Sequence, residues 1–188
     1  MQRKISMFVL LMWCVLVNAQ LTKVQYPSYS ALWDSRLQIP TLVRYSLCPG
    51  DIGNVSREPS WRFRADLPTS VMWARHEDYN NSGYDRGHLC AAADRSANCV
   101  SMRQTFQMSN ICPQVPAFNR GIWKKTEVMA RHLASHFASV RIMVMPIFFD
   151  KDTTFIGHSQ IAVPHAFLKV IYNTNPDTIY SHWLLWNK

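Results

Sequence analysis

Several common site patterns are missing from this chain. No Cys-x-x-Cys pair occurs in its 188 residues, which speaks against a structural zinc site. No glycine-rich Walker loop occurs, and the chain has only six glycines. His132 and His136 have the spacing of zinc ligands. Leu133, however, stands where His-Glu-x-x-His needs its glutamate, so a zinc protease is excluded. Gly157-His158-Ser159-Gln160-Ile161 lacks the second glycine of a nucleophile elbow. There is no internal repeat and no low-complexity tract. Long apolar runs are absent too, except for Ile5 to Val17, and its 13 residues are too few to span a bilayer core of ~30 Å.

That run has the make-up of a targeting segment. Arg3 and Lys4 precede it, and Val17-Asn18-Ala19 follows with residues small enough for cleavage. Residues 1–19 are therefore expected to be a secretory signal. The mature chain is expected to begin near Gln20, to be secreted or periplasmic, and to have no membrane anchor. Cys14 leaves with the signal, and Cys48, Cys90, Cys99 and Cys112 remain. An even number of cysteines in an exported chain suggests disulfides, with three pairings open.

The rest fits one globular domain, residues 20–188, with 48% hydrophobic and 17% charged residues. Twenty basic residues against twelve acidic ones give a net charge of +8. Without Arg3 and Lys4 the count is eighteen against twelve, or +6. Such a balance favours a polyanionic partner through phosphate attraction and counterion release. Leu42–Leu47 alternates like a strand, and 141–149 and 161–172 read as core strands rich in Ile, Val and Phe. Thr105 to Ile111 also reads as a strand, with Phe106, Met108 and Asn110 on one face. A long helix is expected over Asn119–Ser139. Phe118, Ile122, Met129, Leu133 and Phe137 form its apolar stripe, and Asn119, Trp123, Glu127 and Arg131 form an i, i+4 row beside it.

Chemistry concentrates in Tyr84-Asp85-Arg86-Gly87-His88-Leu89. Imidazole is the side chain best placed to accept a proton near neutral pH, which makes His88 the candidate general base. Gly87 lets the backbone turn sharply or pass close to another group. Arg86 can contact phosphate or pair with an acid, and Asp85 orients the loop. About thirty residues on, Asn119-Arg120-Gly121-Ile122-Trp123 offers an amide oxygen, a hard ligand suited to Mg²⁺. Asn110 is a polar residue on an apolar face and is expected to tie down a neighbouring loop.

These stretches resemble the DNA/RNA non-specific endonuclease family, whose core is called ββα-metal. Asp85-Arg86-Gly87-His88, Ser109-Asn110, and Asn119 to Trp123 with Glu127 carry the resemblance. It is firmest over 62–137 and continues through Val163-Pro164 and Phe167 to Val170. It implies an α+β fold with a central antiparallel sheet, a ββα-metal motif and a long helix. The implied function is Mg²⁺-dependent hydrolysis of DNA and RNA to 5′-phosphate ends, with Mn²⁺ as the alternative metal. His88, Arg86, Glu127, Arg131 and Asn110 are the implied catalytic set, and Asn119 is the metal ligand. Either Arg62 or Arg64 would face phosphate. The competing readings are a nucleic-acid-binding protein on the same fold and a phosphodiesterase for another substrate.

Overall fold

The computed structural model describes residues 21–66, 74–149, 152–173 and 178–188. Residues 1–20 lie outside this set, and so do the signal segment and cleavage point expected there.

Ten strands and three α-helical pieces, joined by loops and short 3₁₀ and π turns, make up the described chain. In chain order they are β1 (Leu21–Gln25), β2 (Ser30–Asp34), β3 (Ile39–Leu47), β4 (Asp85–His88), α1 (Cys99–Gln104) and β5 (Ile111–Gln114). Then come α2 (Pro116–Phe118), α3 (Lys124–His136), β6 (Val140–Ile147), β7 (Phe155–Ile156), β8 (Ile161–Ala162), β9 (Ala166–Tyr172) and β10 (Ile179–Trp186). Six of the strands form one sheet in the order β1-β2-β3-β6-β9-β10, and every neighbouring pair is antiparallel. The expected α+β architecture with a central antiparallel sheet is what the chain adopts.

Period-two burial shows why these segments are strands. In β3, Val43, Tyr45 and Leu47 are buried while Arg44 and Ser46 are exposed. In β6, Val140, Ile142 and Val144 point inward. Together with Phe167 and Ile171 of β9 they form a face against which α3 packs. That contact decides the helix orientation, and it is not the one expected. The buried positions of α3 are Thr126, Ala130 and Ala134. Ile122, Met129 and Phe137 are 44%, 45% and 41% exposed. Small side chains let the helix axis come close to the sheet, so the core face is the alanine face.

Two further elements differ from expectation. Met108–Asn110 forms a 3₁₀ turn, and the strand begins only at Ile111. Between α2 and α3, residues Asn119–Trp123 form a wide π turn with a kink at Gly121 (φ −100°, ψ −106°). The long helix is thus interrupted, and the i, i+4 row from Asn119 to Arg131 does not run unbroken. All four described cysteines are free, with Cys90 and Cys112 buried, Cys48 half-buried and Cys99 exposed. This corrects the disulfide expectation. Cys90 approaches the carbonyl of Ser28 and Cys112 that of Pro40, so the two thiols lie against different segments.

Candidate active site

Strands β4 and β5 form a two-stranded ladder in which Asp85 faces Gln114 and His88 faces Ile111. Gly87 sits beneath the Gln114 side chain, where a Cβ would come within 2.2 Å. The glycine is therefore needed for close approach within a strand, not for a turn. Asn110 ties the end of this ladder. Its Oδ1 accepts from the Cys90 N–H at 2.8 Å, and its Nδ2 donates to the carbonyls of Cys90 and Thr105, both at 2.9 Å. With its hydrogen-bonding capacity used on the backbone just after His88, Asn110 acts through the loop and touches no reacting group. Trp123 is also buried, and its Nε1 donates to the His88 carbonyl at 3.1 Å. The helix is thereby fastened to the candidate base.

His88 is half-buried, with Phe106 4.8 Å and Phe63 5.4 Å away between ring centroids. Its Nε2 is enclosed and has no hydrogen-bond partner. Burial pushes the imidazole down to about 3, and the Arg57 guanidinium pushes the same way. The ring is therefore neutral at ordinary pH, the form a proton acceptor needs.

A cleft of about 630 Å³ opens beside it, lined by Arg57, His88, Ala91, Ala92, Ala93, Asn119, Arg120, Lys124 and Glu127. Three of the expected site residues, His88, Asn119 and Glu127, meet here. Asn119 Nδ2 donates to Asp85 Oδ2 at 2.9 Å. With the nitrogen so committed, Oδ1 is the atom left for a cation. Burial would raise the Asp85 carboxyl, but hydrogen bonds from Arg120 and Asn119 outweigh it and hold the group below its ordinary value. Asp85 thus orients both neighbours.

Arg86 and Arg131 are not brought to the cleft. Arg86 donates to the His76 carbonyl at 3.1 Å through Nε and to Asn80 Oδ1 at 2.7 Å through Nη2. Arg131 pairs with the fully buried Asp94 at 2.7 Å, and Asp94 also accepts from Tyr45 at 2.8 Å. Both guanidiniums brace the protein instead of facing the cleft. Arg62 is also elsewhere, with its guanidinium on the Pro59 carbonyl, and Arg64 bridges Gln107 through its backbone. The arginine beside His88 is Arg57, which the sequence reading missed. Its guanidinium lies 4.8 Å from the Phe106 ring centroid. Arg120 and Lys124 complete the basic rim.

Burial pushes the half-buried Glu127 carboxyl up to about 7. Lys169 opposes this and Asp94 adds to it. Because the folded value lies above the ordinary 4.5, the protonated form adds stability that is complete below 4.5 and lost as pH rises through about 7. Glu127→Gln, measured metal-free, should match the wild-type melting temperature at about pH 4 and exceed it at about pH 8. A difference between the two proteins that did not change with pH would contradict this assignment.

The donors suit a hard cation that keeps water. Among the described residues, no cluster of three or more His, Cys, Asp or Glu could cage a metal. One amide oxygen beside a carboxylate is the kind of set Mg²⁺ accepts while retaining several waters.

Comparison with known proteins identifies the family and the fold. A profile described as DNA/RNA non-specific endonuclease matches residues 16–188. The chain belongs to that family. Mitochondrial endonuclease G of Homo sapiens is 36% identical over 154 residues, covering 77% of this chain and 52% of that protein. The Bos taurus protein of the same name is 31% identical over 154 residues, with the same two coverages. Mitochondrial nuclease 1 of Schizosaccharomyces pombe is 33% identical over 158 residues, covering 76% of this chain and 48% of that protein. This family member thus spans about half the length of these relatives. A crystal structure of an EndoG/EndoGI complex superposes with a TM-score of 0.78 at 26% identity, covering 88% of this chain and 74% of that one. The three relatives are mitochondrial by name, which overturns the secreted or periplasmic location expected from residues 1–19. A basic start before an apolar run is a pattern that does not by itself fix the destination.

Proposed function

We propose that this chain is a Mg²⁺-dependent, sugar-non-specific endonuclease that hydrolyses DNA and RNA to 5′-phosphate ends, with Mn²⁺ able to substitute. One observation carries the reading. A neutral, polar-unpartnered His88 and the Asn119 amide oxygen line the same basic cleft.

With Nε2 enclosed, Nδ1 is the His88 nitrogen left to the cleft. In the tautomer that carries its proton on Nε2, Nδ1 takes a proton from water. The water oxygen then bonds to phosphorus, and the bond to the 3′-oxygen breaks. Arg57, Arg120 and Lys124 hold the phosphate and its neighbours in place. Asn119 and Glu127 would hold a divalent cation and its water shell. When bound, that divalent cation supplies positive charge where the pentacovalent phosphorus and the departing 3′-oxygen accumulate negative charge. The water attacks without help from a ribose 2′-hydroxyl, so DNA and RNA serve alike. Phosphate contacts carry no direct sequence information, which matches a non-specific cutter.

The test is digestion of matched DNA and RNA strands with Mg²⁺ and with EDTA, followed by end-group analysis. Both polymers should be cut to 5′-phosphate ends, and only with the metal. Cleavage restricted to RNA, with 2′,3′-cyclic ends, would show 2′-hydroxyl chemistry and overturn the mechanism. Binding without cleavage under all conditions would favour the binding-protein reading.

A further inference from the structure

One end of the central sheet is polar on the side turned away from α3. In β3, Arg44 and Ser46 alternate with the buried Val43, Tyr45 and Leu47, and in β6 Arg141 lies between the buried Val140 and Ile142. Alternation therefore sends these polar side chains out on the side opposite α3. Register sets them in two rows. Gln25, Ser30 and Arg44 are cross-strand partners in one row, and Ser46, Arg141 and Tyr172 in the other. Both rows line a second cavity, of about 440 Å³, which Tyr26, Asp51 and Arg95 help to close.

Arg44 and Arg141 are diagonal neighbours across the β3–β6 ladder, near enough for like charges to repel. Both are exposed, and among the described residues neither guanidinium has a hydrogen bond or an ion pair. Asp51 is the one acid among the described residues that line the cavity, and it pairs with Arg95 at 3.1 Å. Arg95 also donates to the carbonyls of Ser28 at 2.7 Å and Ser46 at 2.6 Å, so it is matched. Two cations are thus left without a counter-charge on a concave surface, with the half-buried Tyr172 ring beside Arg141. Unmatched cations next to an aromatic ring suit a nucleic-acid strand, whose phosphates meet the charge and whose bases stack.

We propose that this cavity is a second nucleic-acid site, where Arg44 and Arg141 hold backbone phosphates of the polymer being cut and Tyr172 stacks on a base. The inference rests on the nuclease reading of the cleft. The two cavities meet along the 3₁₀ turn Ala92–Arg95. Ala92 and Ala93 line the cleft, and Arg95 lines the second cavity. A strand that leaves the cleft has only this turn to round. A short fragment fills the cleft alone and gains nothing from the second site. A long strand is held at both, and the raised effective concentration tightens its binding with no new contact in the cleft.

The experiment measures binding of a labelled tetranucleotide and of a labelled long single strand to the full chain in EDTA, over a range of salt. Arg44→Gln combined with Arg141→Gln should weaken the long strand about tenfold or more at low salt. It should also flatten the log–log salt slope by about 1.4, which is two single-strand phosphate contacts at about 0.7 each. The tetranucleotide should bind as it does to the wild type. With Mg²⁺ present, KM for the long strand should rise by a similar factor. If the double variant does not fold, each single variant should flatten the slope by half as much. Arg44→Lys with Arg141→Lys keeps the charge and should keep the slope. Arg103→Gln with Lys188→Gln removes two exposed cations that line neither cavity and should alter neither probe. An unchanged slope for the long strand, an equal loss on both probes, or the same loss in that control pair overturns the proposal. Displacement of the long strand from the second site by inorganic phosphate at matched phosphate concentration would mark a site for free phosphate and overturn it too. A wild-type chain that binds the long strand as described but cuts no nucleic acid would instead overturn the nuclease reading and leave the second site standing.

Discussion

His88→Ala should lower phosphodiester cleavage by about 10²–10⁴-fold, the usual contribution of a general base. Folding and DNA binding should survive. The His88 side chain makes no hydrogen bond, so its removal orphans no partner. The carbonyl that accepts from Trp123 belongs to the backbone and remains. In the proposed function binding rests on Arg57, Arg120 and Lys124, none of which leans on the imidazole for a hydrogen bond. The measurements are turnover on plasmid DNA and affinity for a non-cleaved oligonucleotide. Near-wild-type turnover would remove His88 from the mechanism. Because its folded value lies near 3, the imidazole stays neutral well into the acid range.

Asn119→Ala should have an effect on the order of 100-fold or more. Loss of groups that merely support metal ligands already costs ~10–100-fold, and Asn119 would supply the ligand atom itself. The substitution also removes one hydrogen bond to Asp85. Arg120 still reaches that carboxylate through Nε at 2.9 Å and Nη2 at 2.7 Å, so the loop keeps its anchor. Titrating Mg²⁺ against activity, and against heat of binding in calorimetry, separates the two effects. A weakened metal isotherm with an unchanged melting temperature is the expected pattern. Superimposable Mg²⁺ curves for variant and wild type would take Asn119 out of the metal shell.

What the sequence revealed, and what it hid, follows from how far each signal reaches. His88, Asn119 and Glu127 were legible because each belongs to a short motif at characteristic spacing, and the structure brings all three to one cleft. Asn110 was legible because an amide on an apolar face must satisfy its hydrogen bonds, and it does so on Cys90 and Thr105. Arg57 was not, because it lies 31 residues before His88 in an unpatterned stretch and reaches the cleft only through the path of the chain. Arg86 and Arg131 looked like members of the catalytic set because sequence shows a charge without showing its partner. Here those partners are the His76 carbonyl, Asn80 and Asp94. The α3 core face was misread because size was taken as the sign of burial, while Ala130 and Ala134 are buried by virtue of being small. Cysteine parity misled similarly: an even count permits pairing but says nothing about which thiols stand near each other.

The wide turn between α2 and α3 is a matter of phase. Asn119 and Glu127 are eight residues apart, and eight residues of ordinary α-helix turn through about 800°, leaving the two side chains about 80° apart around the axis. The non-helical backbone of Gly121 within Asn119–Trp123 breaks that relation, so the angle is reset at the kink. Asn119 and Glu127 thus line one cleft across a break in the helix. Insertion or deletion of a single residue at Gly121 or Ile122 would remove no side chain from the cleft, yet it would swing one half of the site out of alignment with the other.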